Sequence, residues 1–347
     1  MRALTIDAHG TLDQLKFRDD LPVPELASPD DVRVRVQAAA LNHLDLWVIE
    51  GVPGVRITEG WILGSDCVGV VDAVGPNVTT VRPGDRVVLN PGVSDRTCEY
   101  CRIGDNPLCL RYAILGEHRP GVLADFVVVP AANVHVIPPH VSFTAAAAFP
   151  LATLTAWRMV VSRAQVTAGD QVLIRGIGGG VALASMQIAK SIGARVWVTS
   201  GSDAKLERAR GLGADETINH STSDVAREVR GRTGKRGVDV VIDCVGQATW
   251  GSSLGSLGKR GRLVTCGGTS GPLLETDVRK LFWNQWTIMG STMGSDDEFA
   301  RIVDELRAGR LHPPVDSTFP LEEGRQAFER LRSGQQFGKV VITVAGS

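Results

Sequence analysis

The sequence lacks any long apolar run and any excess of one charge. Its 347 residues include 37 basic and 38 acidic side chains, for a formal net charge of −1. No apolar stretch approaches the roughly 18–20 residues that a membrane-spanning helix requires. A balanced charge also provides no basic surface of the kind that binds nucleic acid. The composition therefore argues against a membrane protein and against a nucleic-acid-binding protein.

The first residues also lack a signal-peptide pattern. The first residues, MRALTID, do not show the charged and then apolar pattern of a signal peptide, and they alternate like an edge strand. We therefore expect a soluble, cytoplasmic protein. The length suits two domains of about 100–200 residues each. An apolar content of 43% supports substantial cores.

Cysteine is scarce, yet half of it lies in one short stretch. Three of the six cysteines, Cys98, Cys101 and Cys109, fall within twelve residues in the pattern C-x2-C-x7-C. Cysteines this close bind a metal, form a disulfide or lie together by chance, and three is an awkward number for the first two. A reducing compartment favours a metal over a disulfide. A metal site would need a fourth ligand.

The two parts of the chain differ in periodicity. Up to about residue 150, short alternating segments such as 31–37 are separated by glycine and proline, which predicts a β-rich domain. Continuous apolar runs then alternate with amphipathic segments, which predicts parallel strands covered on both faces. The predicted strands of this sheet are 171–176, 195–200, 238–246, 261–268 and 285–291, with 216–220 as a short sixth candidate. The fold class is α/β, with a doubly wound sheet.

A glycine-rich turn follows the first strand of the predicted sheet. Gly178, Gly179, Gly180 and Val181 open a helix directly after that strand. Glycine lets the backbone approach a pyrophosphate, and a helix N-terminus offers free N–H groups and partial positive charge. An ordinary turn is the alternative, but the strand–turn–helix context predicts a dinucleotide-binding site.

The end of the second strand bears on which nicotinamide cofactor is bound. NAD-binding folds usually place an acidic residue about 20 residues past the turn, on the ribose hydroxyls. Ser200 and Ser202 stand there, with Lys205 one helical turn further on. Small hydroxyls accept a 2′-phosphate, which predicts NADP(H) rather than NAD(H). Asp203 argues against this prediction, and Lys205 is equally consistent with a solvated lysine. The other predicted cofactor residues end two later strands: Val245 and Gly267.

The order of these features resembles the medium-chain dehydrogenase/reductases, which include zinc alcohol dehydrogenases and quinone oxidoreductases. The resemblance covers essentially the whole chain. The markers that carry it are ALNHLDLWV (40–48), GSDCVGVVDAVG (64–75), VRPGDRVV (81–88), the cysteine stretch, GIGGGVA (176–182) and FGKVVITV (337–344).

The resemblance implies an architecture and an assembly. A GroES-like catalytic domain (1–150) is followed by a Rossmann domain (151–290), and the last segment (291–347) returns to the first domain. The active site is expected in the cleft between the domains. A homodimer or homotetramer is also implied, with the apolar segment NQWTIMGST as the candidate edge strand for pairing.

The resemblance also supplies a fourth partner for the cysteines. Relatives with a structural zinc carry four cysteines spaced C-x2-C-x2-C-x7-C, and the first of them falls on Asp95 here. A carboxylate oxygen can bind zinc. The implied site is closed and holds a loop, with Asp95, Cys98, Cys101 and Cys109 as ligands. An empty lobe with free thiols is the alternative.

The family's catalytic zinc ligands, by contrast, are replaced. They are a cysteine, a histidine followed by glutamate, and a later cysteine, and they fall on Asn42, Ser65, Asp66 and near Leu151. Neutral amide and hydroxyl groups are poor zinc ligands, and leucine cannot ligate. We therefore expect no catalytic zinc. The stretch ALNHLD resembles instead the Asn-x-x-Asp segment of zinc-free quinone oxidoreductases.

Chemistry without that metal favours an acceptor that delocalises charge itself, such as a quinone or an α,β-unsaturated carbonyl. The enzyme then mainly positions the nicotinamide against the acceptor. The expected roles are hydrogen-bond donation by Asn42, a cofactor contact by His43, backbone fixation by Asp45, and a pocket wall from Trp47 and Trp61.

Plainer roles stay open for the same residues. Asn42 could cap a turn, His43 could be a hydrogen-bonded surface histidine, Trp47 could be core, and Asp66 could be a leftover carboxylate paired with an arginine.

Three functions therefore stay open. The leading hypothesis is an NADPH-dependent reductase of quinones or α,β-unsaturated carbonyls with one structural zinc. The alternatives are an alcohol dehydrogenase or aldehyde reductase of the zinc type and a non-catalytic NADPH-binding protein. The expected partner is a small carbonyl, enone or quinone substrate.

Overall fold

The computed structural model describes residues 1–344, and its contacts divide the chain into two compact units. The first unit contains Met1–Leu154 together with the chain from Gly294 onward, and the second contains Thr155–Met293. The chain thus leaves the first unit once and returns to it. Both units mix strands and helices, which confirms the predicted α/β class.

Within residues 1–344 the chain forms eighteen strands, numbered here in chain order. The strands are β1 (Ala3–Ile6), β2 (Lys16–Arg18), β3 (Asp31–Ala40), β4 (Trp61–Ile62), β5 (Asp66–Val74), β6 (Arg86–Leu89), β7 (Gly92–Val93), β8 (Ala113–Ile114), β9 (Phe126–Pro130), β10 (Val134–Val136), β11 (Gln171–Ile174), β12 (Arg195–Ser200), β13 (Glu216–Asn219), β14 (Val238–Asp243), β15 (Leu257–Thr265), β16 (Thr287–Gly290), β17 (Val315–Pro320) and β18 (Lys339–Thr343).

The same described part of the chain forms eleven α-helices. They are α1 (His43–Glu50), α2 (Glu99–Arg102), α3 (Phe143–Ala147), α4 (Pro150–Trp157), α5 (Gly180–Ile192), α6 (Asp203–Gly211), α7 (Val225–Arg232), α8 (Gln247–Ser256), α9 (Val278–Asn284), α10 (Asp296–Arg307) and α11 (Gly324–Arg332). None of the helices described is both long enough and apolar enough to cross a membrane.

A seven-stranded sheet organises the first unit. Its order is β10-β6-β5-β3-β18-β17, and β9 also pairs with β3. The alternating valines Val32, Val34 and Val36 of β3 belong to the hydrophobic core. Strand β18 pairs antiparallel with β3, so the end of the chain completes a sheet that its beginning started.

The first strand corrects one expectation. The alternation of MRALTID predicts an edge strand, but β1 lies between β2 and β4 in a separate three-stranded sheet. All four of its residues are buried. The edge prediction was wrong because β2 and β4 are short and carry no strand pattern of their own.

The second unit is a six-stranded parallel sheet with the order β13-β12-β11-β14-β15-β16. The short candidate strand 216–220 is present as β13. Trp197 and Leu173 lie in the core of the second unit, together with apolar residues of α7 and α8. This order is that of the doubly wound dinucleotide-binding sheet, in which ligands bind beyond the carboxyl ends of the strands.

Candidate functional site

Asn42, Asp66 and Lys339 form a buried polar network in the first unit. Asn42 follows β3, Asp66 begins β5 and Lys339 begins β18, and both of these strands pair with β3. The Lys339 ammonium Nζ lies 3.0 Å from Asp66 Oδ2 and also donates to Asn42 Oδ1. Asn42 Nδ2 donates to Asp66 Oδ2 at 2.9 Å. The three residues are 8%, 0% and 5% exposed, so water contributes little to satisfying them.

Asp66 is engaged through both carboxylate oxygens. Oδ2 accepts from Lys339 and Asn42, and Oδ1 accepts from the backbone N–H of Leu151 at 2.8 Å. The cation beside Asp66 is therefore a lysine, not the arginine considered from the sequence. Ser65, the next replaced ligand position, donates its hydroxyl to the carbonyl of Leu115 at 2.7 Å.

Asp45 fixes the backbone beside this network. It is the third residue of α1, it is 1% exposed, and its Oδ2 accepts from the Asn42 N–H at 2.7 Å. This contact is the carboxylate half of a capping box at the start of the helix. Burial raises the pKa of Asp45 to about 7, and the Asn42 N–H and Lys339 oppose that rise.

His43 and Trp47 lie on α1 with exposed side chains. Trp47 is 36% exposed, so the alternative that it belongs to the core is wrong. The protein around the imidazole removes part of its hydration, which lowers the pKa of His43. The positive charge of Lys339 lowers this pKa further. Trp61 is half-buried, and its indole N–H donates to the carbonyl of Gly116 at 3.0 Å.

Lys339 is the residue of the network that the sequence analysis missed. The stretch FGKVVITV served only as a family marker there. The available signal was a lysine at the start of an otherwise apolar strand. A buried lysine is rare unless it is paired, so such a position indicates a carboxylate partner elsewhere in the chain.

The four predicted metal ligands converge in the first unit. One ligand atom from each of Asp95, Cys98, Cys101 and Cys109 lies within 4.8 Å of every other. The Sγ atoms of Cys98 and Cys101 are 3.6 Å apart. A tetrahedral zinc with Zn–S bonds of about 2.3 Å separates two sulfurs by about 3.8 Å. The thiols are free, and the donor set fits zinc.

Backbone N–H groups orient the ligand atoms of this cluster. Asp95 Oδ1 accepts from the N–H groups of Thr97 and Cys98 at 2.8 and 2.9 Å. These bonds hold the pKa of Asp95 well below its usual range. The N–H groups of Asp95 and Arg111 point at Cys109 Sγ from 3.3 Å. Such outer contacts orient metal ligands.

The glycine turn joins β11 to α5 in the second unit. The Gly176 N–H donates to Thr199 Oγ1 at 3.2 Å, which anchors the turn to β12. Gly178 has φ +124, a conformation that favours glycine. A Cβ added at Gly179 would meet no atom within 4 Å, so the space beside the backbone is open. The turn at the start of this 13-residue helix fits a pyrophosphate.

The predicted 2′-phosphate residues follow β12. Ser200 Oγ accepts from the Ser202 N–H at 3.1 Å, and Ser202 Oγ accepts from the Lys205 N–H at 3.4 Å at the start of α6. Each hydroxyl therefore retains its own hydrogen to donate. Asp203 accepts from the side-chain amide of Asn219 at 2.7 Å.

The remaining predicted cofactor residues also lie at the carboxyl edge of the sheet. Val245 follows β14, and a Cβ at Gly176 would lie 3.2 Å from its Cγ2. Gly267 follows β15. The structure thus gathers the glycine turn, the serines and these two residues along one edge of the second unit. His43, Asn42 and Asp45 belong to the first unit.

Comparisons with known proteins agree with both units. Residues 28–139 match the alcohol dehydrogenase GroES-like domain, and residues 180–308 match the zinc-binding dehydrogenase domain. A zinc-type alcohol dehydrogenase-like protein of Schizosaccharomyces pombe is 32% identical over 99% of both chains. The chain belongs to the medium-chain dehydrogenase/reductase family. It is therefore an oxidoreductase, and the expected GroES-like and Rossmann-type domains are confirmed.

Two further relatives show the range of this family. Human quinone oxidoreductase is 28% identical, over 99% of this chain and 97% of its own. A crystal structure of an NAD-dependent alcohol dehydrogenase is 45% identical with a TM-score of 0.95, covering 99% of this chain and all of its own. The medium-chain dehydrogenase/reductase fold is thus shared with proteins named for different reactions.

Proposed function

We propose that this medium-chain dehydrogenase/reductase is an NADPH-dependent reductase of quinones or α,β-unsaturated carbonyls, with one structural zinc and no catalytic zinc. The observation that carries the proposal is the Lys339–Asp66–Asn42 network. An ammonium 3.0 Å from Asp66 neutralises the one carboxylate left at the replaced ligand positions. The replaced ligand positions offer a zinc ion no thiolate and no imidazole, and Lys339 would repel it. The likeness to human quinone oxidoreductase supports the same reading.

Asn42 is the proposed partner of the acceptor oxygen. When bound, the nicotinamide cofactor supplies the hydride. The Asn42 carbonyl accepts from Lys339 and one amide hydrogen goes to Asp66, so a second amide hydrogen is left for the acceptor. Charge that develops on the acceptor oxygen is stabilised by this polarised amide, because Lys339 lies behind it. Asp45 holds the Asn42 backbone, and His43 is proposed to contact the cofactor.

Trp47 is proposed to contribute to the wall of the acceptor pocket, since its indole is accessible. Substituting Trp47 with Ala should raise KM for a bulky quinone more than it lowers kcat. A variant with kcat alone reduced would contradict this role.

NADPH preference is the second part of the proposal. Ser200, Ser202 and Lys205 would bind the 2′-phosphate, and the Asp203 carboxylate is engaged by Asn219. The likeness to an NAD-dependent alcohol dehydrogenase makes NADH the alternative. Ser200→Asp should weaken NADPH binding by about tenfold or more, because two anions would approach each other. Titrations of both cofactors into both proteins test this, and an unchanged NADPH affinity would contradict it.

Zinc counting and substrate turnover together test the function. Elemental analysis of protein purified without chelator should find one zinc per chain. NADPH oxidation should be faster with a quinone or an enone than with an aldehyde. Two zinc ions and aldehyde turnover would instead establish an alcohol dehydrogenase, the function that the Schizosaccharomyces pombe relative's name favours. Cofactor binding with no turnover of any class would indicate a non-catalytic protein.

We also propose a homodimer or homotetramer formed through the edge of the second unit's sheet. Strand β16 is the last in that sheet, and Phe282 and Trp283 of the adjacent α9 are 64% and 76% exposed. An apolar surface beside an unpaired edge favours pairing with a second copy. A monomer mass by light scattering at micromolar concentration would contradict it.

All six cysteines are free, which fits the cytoplasmic location that we likewise propose.

A further inference from the structure

Cys244 and Cys266 form a pair of thiols for which the proposed function has no use. Each follows the last residue of a strand, Cys244 after β14 and Cys266 after β15. These strands pair in parallel with Asp243 opposite Thr265, so the two cysteines are the next opposed residues. Neighbouring strands lie roughly 4.8 Å apart, and a disulfide joins residues whose Cα atoms are about 4.4–6.8 Å apart. The register therefore suits a bond that is absent here, since both thiols are free.

The two thiols also have the chemistry of a reactive pair. Each thiol affects the other, since the neighbouring Cys266 lowers the pKa of Cys244 and the neighbouring Cys244 raises that of Cys266. Both residues are partly exposed. Cys67 is a contrast within the same chain: it is fully buried, and burial raises its pKa. A thiol with increased thiolate character next to a second thiol is the arrangement that peroxides oxidise.

The pair lies directly beside the proposed cofactor residues. Cys244 precedes Val245, and Cys266 precedes Gly267. The Cys244 carbonyl accepts from the Thr269 hydroxyl at 3.2 Å, and a Cβ at Gly267 would lie 3.4 Å from that carbonyl oxygen. The backbone segments after β14 and β15 are thus in contact. A bond that draws the two sulfurs together would shift residues on both sides of this contact.

We propose that Cys244 and Cys266 are a peroxide-sensitive dithiol whose disulfide weakens binding of the nicotinamide cofactor. The effect on the cofactor rests on the proposed function, whereas formation of the bond does not. The Cys244 thiolate attacks hydrogen peroxide, the O–O bond breaks, and a sulfenic acid and one water result after protonation of the leaving hydroxide. The Cys266 sulfur then attacks the sulfenic sulfur, which forms the S–S bond and releases a second water. Two thiols are oxidised and one peroxide is reduced.

The test uses the reduced full-length protein treated with hydrogen peroxide, with and without saturating NADPH. Remaining thiols are alkylated, and peptides are mapped by mass spectrometry without reduction. We expect a Cys244–Cys266 linked peptide, with slower formation when NADPH is present. NADPH affinity should fall by about tenfold to a hundredfold, which is about 1.4–2.8 kcal/mol, because the bond would shift the backbone beside the proposed cofactor residues. Dithiothreitol should restore it.

Variants separate this pair from the other cysteines. Cys266→Ser and Cys244→Ser should each give no linked peptide and keep NADPH affinity after peroxide, so a folding defect in one leaves the other informative. Cys67 is the internal control and should be alkylated only after unfolding. Oxidation of the two cysteines without a link would overturn the proposal. A link with unchanged NADPH affinity would overturn its cofactor part. Failure of the reduced protein to bind either cofactor would instead overturn the proposed function, and the peptide map would still decide the bond.

Discussion

The cysteine lobe at 95–109 and the network around Asp66 are two polar clusters of the first unit. They differ in whether a metal or other side chains of the protein satisfy their ligand atoms. In the lobe, one carboxylate and three thiols face a common point, and backbone N–H groups hold them there. In the network, the carboxylate is engaged by an ammonium, an amide and a backbone N–H of the same chain. The difference teaches that a few side chains decide whether a cluster needs a metal. Three thiols and a carboxylate that face one point offer a tetrahedral donor set for zinc, whereas a lone carboxylate can be satisfied by lysine.

Removing the cation of the network should have the largest effect. Lys339→Met leaves Asp66 buried without its counter-charge, and breaking a buried ion pair costs about 3–5 kcal/mol. Urea unfolding at neutral pH measures this loss. The double variant Lys339→Met with Asp66→Asn removes both charges and should recover a large part of the stability. If the double variant is no better than the single one, the pair is not what stabilises the site.

Removing a thiolate from the lobe should remove its zinc. Cys101→Ser should lower the zinc content from about one per chain to near zero. It should also reduce the free energy of unfolding by about 3 kcal/mol, the stabilisation that a ligand provides at about a hundred times its Kd. Elemental analysis and thermal unfolding check both values. Cys244→Ser, outside the lobe, is the matched control and should keep its zinc. Retention of zinc by Cys101→Ser would contradict the assignment.

Titration of Asp45 should give a smaller, pH-dependent effect beside the network. Its folded pKa of about 7 lies above the unfolded value of 3.8. Between about pH 5 and 6.5 the unfolded carboxyl is ionised while the folded one keeps its proton, so stability falls as pH rises. The contribution over this interval is about 2 kcal/mol. Asp45→Asn removes it. Urea unfolding curves of the two proteins should therefore diverge with pH, and parallel pH dependences would rule out the raised pKa.

Replacing Asp95, the only zinc ligand of the lobe that is not a thiolate, should have the smallest effect. Asp95→Asn removes a charge while it keeps the shape, and zinc affinity should fall by about tenfold, or about 1.4 kcal/mol. Asp95→Cys restores the four-thiolate set of the relatives and should tighten binding instead. Competition with a chromogenic chelator measures both changes. Equal affinities in all three proteins would show that Asp95 is not a ligand.

Local patterns in the sequence were sufficient for much of the fold. The strand predicted at 195–200 is β12 with the same bounds, since Gly201 and the helix-capping Ser202 follow its apolar run. Strand β3 extends beyond the predicted 31–37 to Ala40, because β5 and β18 pair with its last residues. That extension depends on partners that are distant in the chain, which periodicity alone does not include.

The two clusters mark the same boundary between sequence and tertiary structure. The sequence by itself indicated the three cysteines of the lobe as metal ligands, because their spacing is short, and the family resemblance added Asp95. The same resemblance indicated which side chains stand at the positions of the catalytic zinc ligands. Only the tertiary structure decided what those replacements contact, because Lys339 lies 273 residues from Asp66. Strand pairing brings these two charges together. Burying either charge without the other would cost several kcal/mol, so the two are buried as an ion pair.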